Sequence, residues 1–174
     1  MTNETIQNII TRRSVKKYKS EMLPNEIIDE IINAGIYAPS GRNKQPAIIL
    51  GITNKKIRDE MARLNAKVMG LNDFDPFYGA PVILVVLADK SSQTAIYDGS
   101  LVMGNLLLAA HSLNVGSCWI HRAKEVFETK EGKEILKMAG IDGDYEGIGI
   151  CILGYSDIEL TEPLPRREKR IYKI

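Results

Sequence analysis

Residues 101–113 read Leu-Val-Met-Gly-Asn-Leu-Leu-Leu-Ala-Ala-His-Ser-Leu. Wound at 3.6 residues per turn, Leu101, Val102, Met103, Leu106, Leu107, Leu108, Ala109, Ala110 and Leu113 cover nearly the whole circumference of a helix. An ordinary surface helix keeps a polar face. A helix from about Thr94 to Leu113 must therefore run through the middle of the domain or bury itself against a partner. Asn114-Val115-Gly116 ends it.

Outward from this helix the apolar pattern changes period. Toward the N-terminus, Pro81 opens a strand over Val82–Ala88 that shows no polar alternation, the pattern of a strand covered on both faces. Pro46–Thr53 reads as another strand. Asn54 then caps a helix on which Ile57, Met61, Leu64 and Val68 share a face, and Gly70 stops it. Pro24 stands in the first turn of a helix carrying Ile27, Ile28, Ile31 and Ile32 down to Tyr37, and Asn3 caps a short first helix that ends near Arg12. Toward the C-terminus come a short strand at Ser117–Ile120, an amphipathic helix over Thr129–Ala139 stopped by Gly140, and a last internal strand at Gly147–Gly154. Helices and strands intermix in one layered α/β or α+β domain over residues 1–154. Residues 155–174 form an extension of different character. Pro163 and Pro165 enforce extended chain there, Arg166 to Arg170 is charged, and Ile171–Ile174 alternates like a strand.

With 174 residues, 44% of them apolar, the chain has material for one core. Its 23 Lys+Arg against 22 Asp+Glu leave a net charge of +1, so no global field gathers nucleic acid or an anionic membrane. The longest apolar run, Ala80–Ala88, is far short of the roughly 20 residues of a helical membrane span. No basic start followed by an apolar block opens the sequence, and the expected compartment is the reducing cytoplasm. Cys118 and Cys151 lie in apolar strand-like segments, where a free thiol acts as a small hydrophobe; with His111 and His121 they form no metal-ligand pattern.

Several chemistries lack their residues. There is no G-x-S-x-G elbow, Gly132-Lys133 is followed by Glu134 rather than a P-loop hydroxyl, and Gly147-Ile148-Gly149 sits inside a strand without the third glycine of a dinucleotide fingerprint. What remains is carried by loops. Arg12-Arg13-Ser14-Val15-Lys16 sets two guanidiniums, a hydroxyl and an ammonium within five residues, suited to a phosphate dianion; the same run is also the ordinary signature of a solvated loop. Pro39-Ser40-Gly41-Arg42-Asn43-Lys44-Gln45-Pro46 is a stiff turn whose amides and hydroxyl suit the edge of a heterocycle. Arg166-Arg167 is either a solvated tail or a second clamp on the same anion.

Taken in order, Arg12-Arg13-Ser14, Ala38-Pro39-Ser40-Gly41-x-Asn43-x-Gln45-Pro46, the Leu-rich helix ending in Gly116-Ser117-Cys118-Trp119-Ile120, Gly149–Tyr155 and Pro165-Arg166-Arg167 resemble the FMN-dependent nitroreductase family over nearly the whole chain. The resemblance implies an α+β fold with a central mixed, largely antiparallel sheet flanked by helices. It also implies a homodimer with FMN at the subunit interface, the Thr94–Leu113 helix at its core and the C-terminal strand exchanged with the partner. Arg12 and Ser14, with Arg13 beside them, would hold the phosphate and ribityl end. Lys16, often arginine in relatives, would approach flavin N1 and O2 as the catalytic positive group. Pro39, Ser40, Gly41 and Asn43 would come from the other subunit, and Trp119-Ile120-His121 would pass its backbone along the ring, with His121 where relatives often have glycine. Arg166 and Arg167 would close over the phosphate.

The implied activity is hydride transfer from NADH or NADPH through flavin N5 to a nitroaromatic, quinone or similar acceptor by ping-pong kinetics. Two other readings use the same residues: a flavin- or phosphate-ligand-binding protein without NAD(P)H turnover, and a nucleic-acid module, which the near-neutral charge disfavours. Many relatives carry an extra helical excursion near the open flavin face. Asp73–Gly79 is its shortened counterpart, which implies a more open pocket.

Overall fold

The computed structural model describes residues 3–174. Four strands, β1 (Ala47–Ile52), β2 (Val82–Asp89), β3 (Gly116–Ile120) and β4 (Tyr145–Gly154), form one sheet in the order β1-β2-β4-β3, every neighbouring pair antiparallel. The mixed character expected of the sheet comes down to a single parallel bridge, Ser14 to Ser117. β2 lies inside the sheet and all of Val82–Ala88 is buried, which is why it lacks alternation. Val82, Leu84 and Val86 face the helices α2 (Asn25–Ile36) and α4 (Ala95–Ser112), meeting Ile31, Met103 and Leu106. Ile83, Val85 and Leu87 face α3 (Lys55–Val68), α5 (Ala123–Glu128) and α6 (Lys130–Met138), meeting Met61, Leu64, Val126 and Leu136. The result is three layers with a core on each face of the sheet.

Local signals set the element ends. Asn3 caps α1 (Glu4–Thr11) by accepting from the Ile6 amide, Asn54 accepts from Lys56 and Ile57 at the start of α3, and Thr129 accepts from Gly132 at the start of α6. Pro24 stands at the N-cap of α2 rather than inside its first turn. α5 has no counterpart in the sequence reading, and β4 begins two residues earlier than expected. The alternation of Ile171–Ile174 produces no strand in this chain: Ile171 and Tyr172 are exposed and the segment has no neighbour to pair with. α4 is buried along Val102, Met103, Leu106 and Ala110, whereas Tyr97 and Leu101 stand exposed on its opposite side and Ile96 is exposed in its first turn.

α5 is pressed onto β4 at Gly147, where an added Cβ would lie 2.4 Å from the Ala123 carbonyl. Gly147→Ala is expected to cost about 1–3 kcal/mol through overpacking. Thermal unfolding checks it against Gly51→Ala, where the nearest atoms would be 3.5 Å away and no loss is expected.

Candidate functional site

The site forms where the chain leaving α1 runs along β3, at the edge of the sheet. The Val15 amide donates to the Ser117 carbonyl at 2.9 Å, and the Tyr18 hydroxyl donates to the Val15 carbonyl at 2.7 Å. Burial pushes the Tyr18 phenol far above its ordinary range, so it stays a donor and locks the turn. Just before this turn Arg12 Nη1 and Arg13 Nε, and on β3 the Ser117 hydroxyl, are buried without a hydrogen-bond partner among the described residues. Arg13 turns Nη1 back to the carbonyls of Ile10 and Arg12 at the end of α1. Among the described residues no carboxylate lies within ion-pair distance of Arg12, Arg13 or Lys16. A buried donor left unmade costs about 1–3 kcal/mol, more for a charged group, so these groups are available to an anionic ligand.

Beside the turn opens a cleft of about 480 Å³. Ser14 and Lys16 border it on one side, and Cys118, Trp119, Ile120, His121 and Arg122 run along it. Phe74 and Tyr78 form a further wall, with rings edge-on at 6.1 Å, and the Lys16 ammonium sits 5.8 Å from the centre of the Tyr78 ring. Asn65, wholly buried on α3, donates Nδ2 to the His121 carbonyl at 2.9 Å and so fixes the end of this run. The Trp119 indole lies across Gly149, where a Cβ would come within 2.6 Å of Nε1. Trp119, His121 and Arg122 also border a second hollow of about 330 Å³ that reaches Ile96 and Ser100 of α4. Cations at one end and a narrow aromatic cleft at the other suit a flat heterocycle with an anionic tail.

The fold thus gathers Arg12, Arg13, Ser14, Lys16, Trp119, Ile120 and His121. It does not bring Pro39, Ser40, Gly41 and Asn43 to them within one chain. That loop lies against the start of α4, where the buried Asp98 accepts from the Gly41 amide at 3.0 Å and the Thr94 hydroxyl at 2.7 Å, and it borders a separate hollow of about 190 Å³. Arg166 and Arg167 lie exposed in the extension. Reading the sequence missed Ser117, Phe74 and Tyr78. Ser117 had a signal, since strand alternation puts it on the face of Trp119; the two aromatics stood in Asp73–Gly79, a segment that the resemblance set near the open flavin face without singling out either ring.

His111, at the end of α4, is held against α1 by the Thr11 hydroxyl at 2.9 Å from Nε2. Burial first, then the nearby Arg12 and Arg13 charges, lower its pKa below the ordinary 6.5. Protons are then bound more readily by the unfolded chain, so this contribution to stability is complete above 6.5 and is lost as pH falls toward the lower folded value. Melting temperatures between pH 7.5 and 5 should decline less steeply in His111→Gln than in the wild type.

A three-layer domain with buried, unpartnered cationic donors beside an aromatic-lined cleft has the chemistry to hold a flat anionic ligand. The model of the Nitroreductase family matches residues 9–155, and the chain belongs to that family. A Methanothermobacter thermautotrophicus protein provisionally named an NADH dehydrogenase/NAD(P)H nitroreductase is 30% identical over 120 residues, 67% of this chain. The match spans 60% of that relative's length. Among solved structures, a Bacteroides fragilis nitroreductase with bound FMN superposes with a TM-score of 0.91 at 25% identity, covering 99% of this chain and all of its own. A Desulfitobacterium hafniense nitroreductase with bound FMN gives 0.89 at 26% identity, with both chains covered in full.

Proposed function

We propose that this protein is an FMN-dependent oxidoreductase that takes hydride from NADH or NADPH and reduces a nitroaromatic, quinone or similar acceptor. The observation that carries this reading is the set of buried donors without partners at Arg12, Arg13 and Ser117, set against a cleft of flat walls. FMN in the two superposed structures and the NAD(P)H in the archaeal relative's name support it. Bound FMN supplies a ring that receives two electrons as hydride from one substrate and yields them to another in a separate encounter, the ping-pong pattern.

The chain's own residues bind, orient and polarise. Arg12 and Ser14, with Arg13 and the Ser117 hydroxyl, hold the phosphate and ribityl end through charge-assisted hydrogen bonds. Lys16 holds positive charge at the pyrimidine side of the ring, where reduction accumulates negative charge. Trp119, Ile120 and His121 run along the ring, and Asn65 holds that run in place. The partner subunit's Pro39, Ser40, Gly41 and Asn43 complete the ring edge. Such an assembly gives a cause to the exposed Ile96, Tyr97 and Leu101 of α4, an apolar strip that a second copy would cover. Residues 155–174 wrap that copy, with Arg166 and Arg167 closing on the phosphate and Ile171–Ile174 adding a strand to its sheet.

The test is a spectrum, a sizing column and an anaerobic cuvette. A yellow dimer that takes up FMN and is bleached by NADH or NADPH, with parallel double-reciprocal lines over an acceptor panel, is the expected result. FMN uptake without bleaching would instead favour a binding protein without turnover, and a colourless monomer that refuses FMN would sink both.

A further inference from the structure

One wall of the cleft stands over open space. Phe74 and Tyr78 belong to the segment between α3 and β2, behind which lies a hollow of about 1010 Å³ along Asp59, Arg63 and Phe74, and another of about 430 Å³ beneath Gly79 and Pro81. Apolar packing holds Phe77 and part of Tyr78 against the core but leaves Phe74 exposed. The segment is also gripped by two residues. Asp75 accepts from the Phe77 amide at 2.9 Å and the Gly79 amide at 2.8 Å, and its carboxylate meets Arg58 Nη2 at 2.6 Å. Arg58, only 7% exposed, donates Nε to the Ala80 carbonyl at 2.9 Å and stacks 5.3 Å from the centre of the buried Phe77 ring. Between these anchors Tyr78 is held at φ +52°, a left-handed conformation that a bulky side chain adopts only when its surroundings impose it.

We propose that Asp75 and Arg58 are positioning residues that hold Phe74 and Tyr78 as a stationary wall, and that this wall makes the cleft select flat, π-rich acceptors over non-planar ones. The selection rests on the oxidoreductase reading above; the clasp rests on the contacts just given. A fixed wall keeps Tyr78 and Phe74 at the cleft, and face or edge contact with them favours an aromatic occupant. A wall free to move gives up that contact without touching the anion site at Arg12.

The experiment uses the FMN-loaded protein with two acceptors and one inert ligand. Menadione, a flat quinone, takes up two electrons and two protons, whereas ferricyanide is octahedral and takes one electron per ion. Benzoate binding is read from the shift in flavin absorbance and needs no turnover. Asp75→Ala should raise the menadione KM and weaken benzoate binding about tenfold, with ferricyanide turnover and FMN content unchanged. Tyr78→Ala should raise the menadione KM and weaken benzoate binding to at least the same extent, and the double variant should be no worse in these two readouts than Tyr78→Ala alone, because Asp75 acts through the wall. Asp75→Asn keeps an oxygen for the Phe77 amide but weakens the grip on Arg58; it should give a smaller effect in the same direction, and it serves if Asp75→Ala does not fold. Unchanged menadione KM and benzoate affinity in the Asp75 variants, or additive effects in the double variant, would overturn the proposal. A wild type that binds FMN and benzoate but accepts no hydride ends the oxidoreductase reading, while the benzoate affinities still decide the clasp.

Discussion

Arg12→Met is expected to weaken FMN binding by two to three orders of magnitude, about 3–4 kcal/mol at 1.4 kcal/mol per decade. Removing one member of a desolvated charge pair typically costs about 2–5 kcal/mol, and Arg12 Nη1 is buried with no partner in the protein. Methionine keeps the apolar stem in place. The same substitution should leave the apoprotein as stable as the wild type or slightly more so, because it removes a donor that nothing satisfies until an anion arrives. Fluorescence titration of FMN and the melting curve of the apoprotein measure the two halves. A loss of affinity under tenfold, or an apoprotein that melts many degrees lower, would show that the guanidinium serves the fold and not the phosphate.

The second large effect is expected at Lys16. Its ammonium borders the cleft, pairs with no carboxylate among the described residues and lies 5.8 Å from the centre of the Tyr78 ring. Lys16→Ala should slow reduction of bound FMN by NADH about 100-fold, the scale found when one preorganised charge is removed from the atom where negative charge develops. FMN affinity should fall less than tenfold, since the buried donors lie elsewhere, and the midpoint potential of the bound cofactor should become more negative. Lys16→Arg should restore most of the rate, because a guanidinium carries the same charge. Stopped-flow reduction and a redox titration separate this from a binding defect: equal losses in affinity and rate would assign Lys16 to holding the cofactor instead.

How far the sequence carries the site depends on whether the chemistry is local. Arg12, Arg13, Ser14 and Lys16 are neighbours in the chain, and a basic run with a hydroxyl is visible wherever it falls. That part of the run is buried rather than solvated is not visible, because the chain places residues 14 and 117 side by side along β3 only on folding. Phe74 and Tyr78 were hidden for a related reason. They lie in a turn with no period, and their role comes from a grip supplied by Arg58 on another element. Ile171–Ile174 shows the converse. Its alternation is real, but a strand is a pairing, and within one chain the segment pairs with none of the described residues.

Apart from α5 and the Ile171–Ile174 segment, the order and kind of the elements were decided by sequence alone, since capping at Asn3, Asn54 and Thr129, the stops at Gly70 and Gly140 and the uninterrupted apolar run of β2 act over a few residues. The site was decided by tertiary structure. An unsatisfied guanidinium, a cleft between a turn and a strand edge, and a wall clasped by an ion pair across 17 residues exist only as distances between segments far apart in the chain. Hydrophobic period and capping are short-range properties of a polymer. Desolvation and electrostatic pairing belong to the folded volume, and those are what make a basic loop into a place for a cofactor.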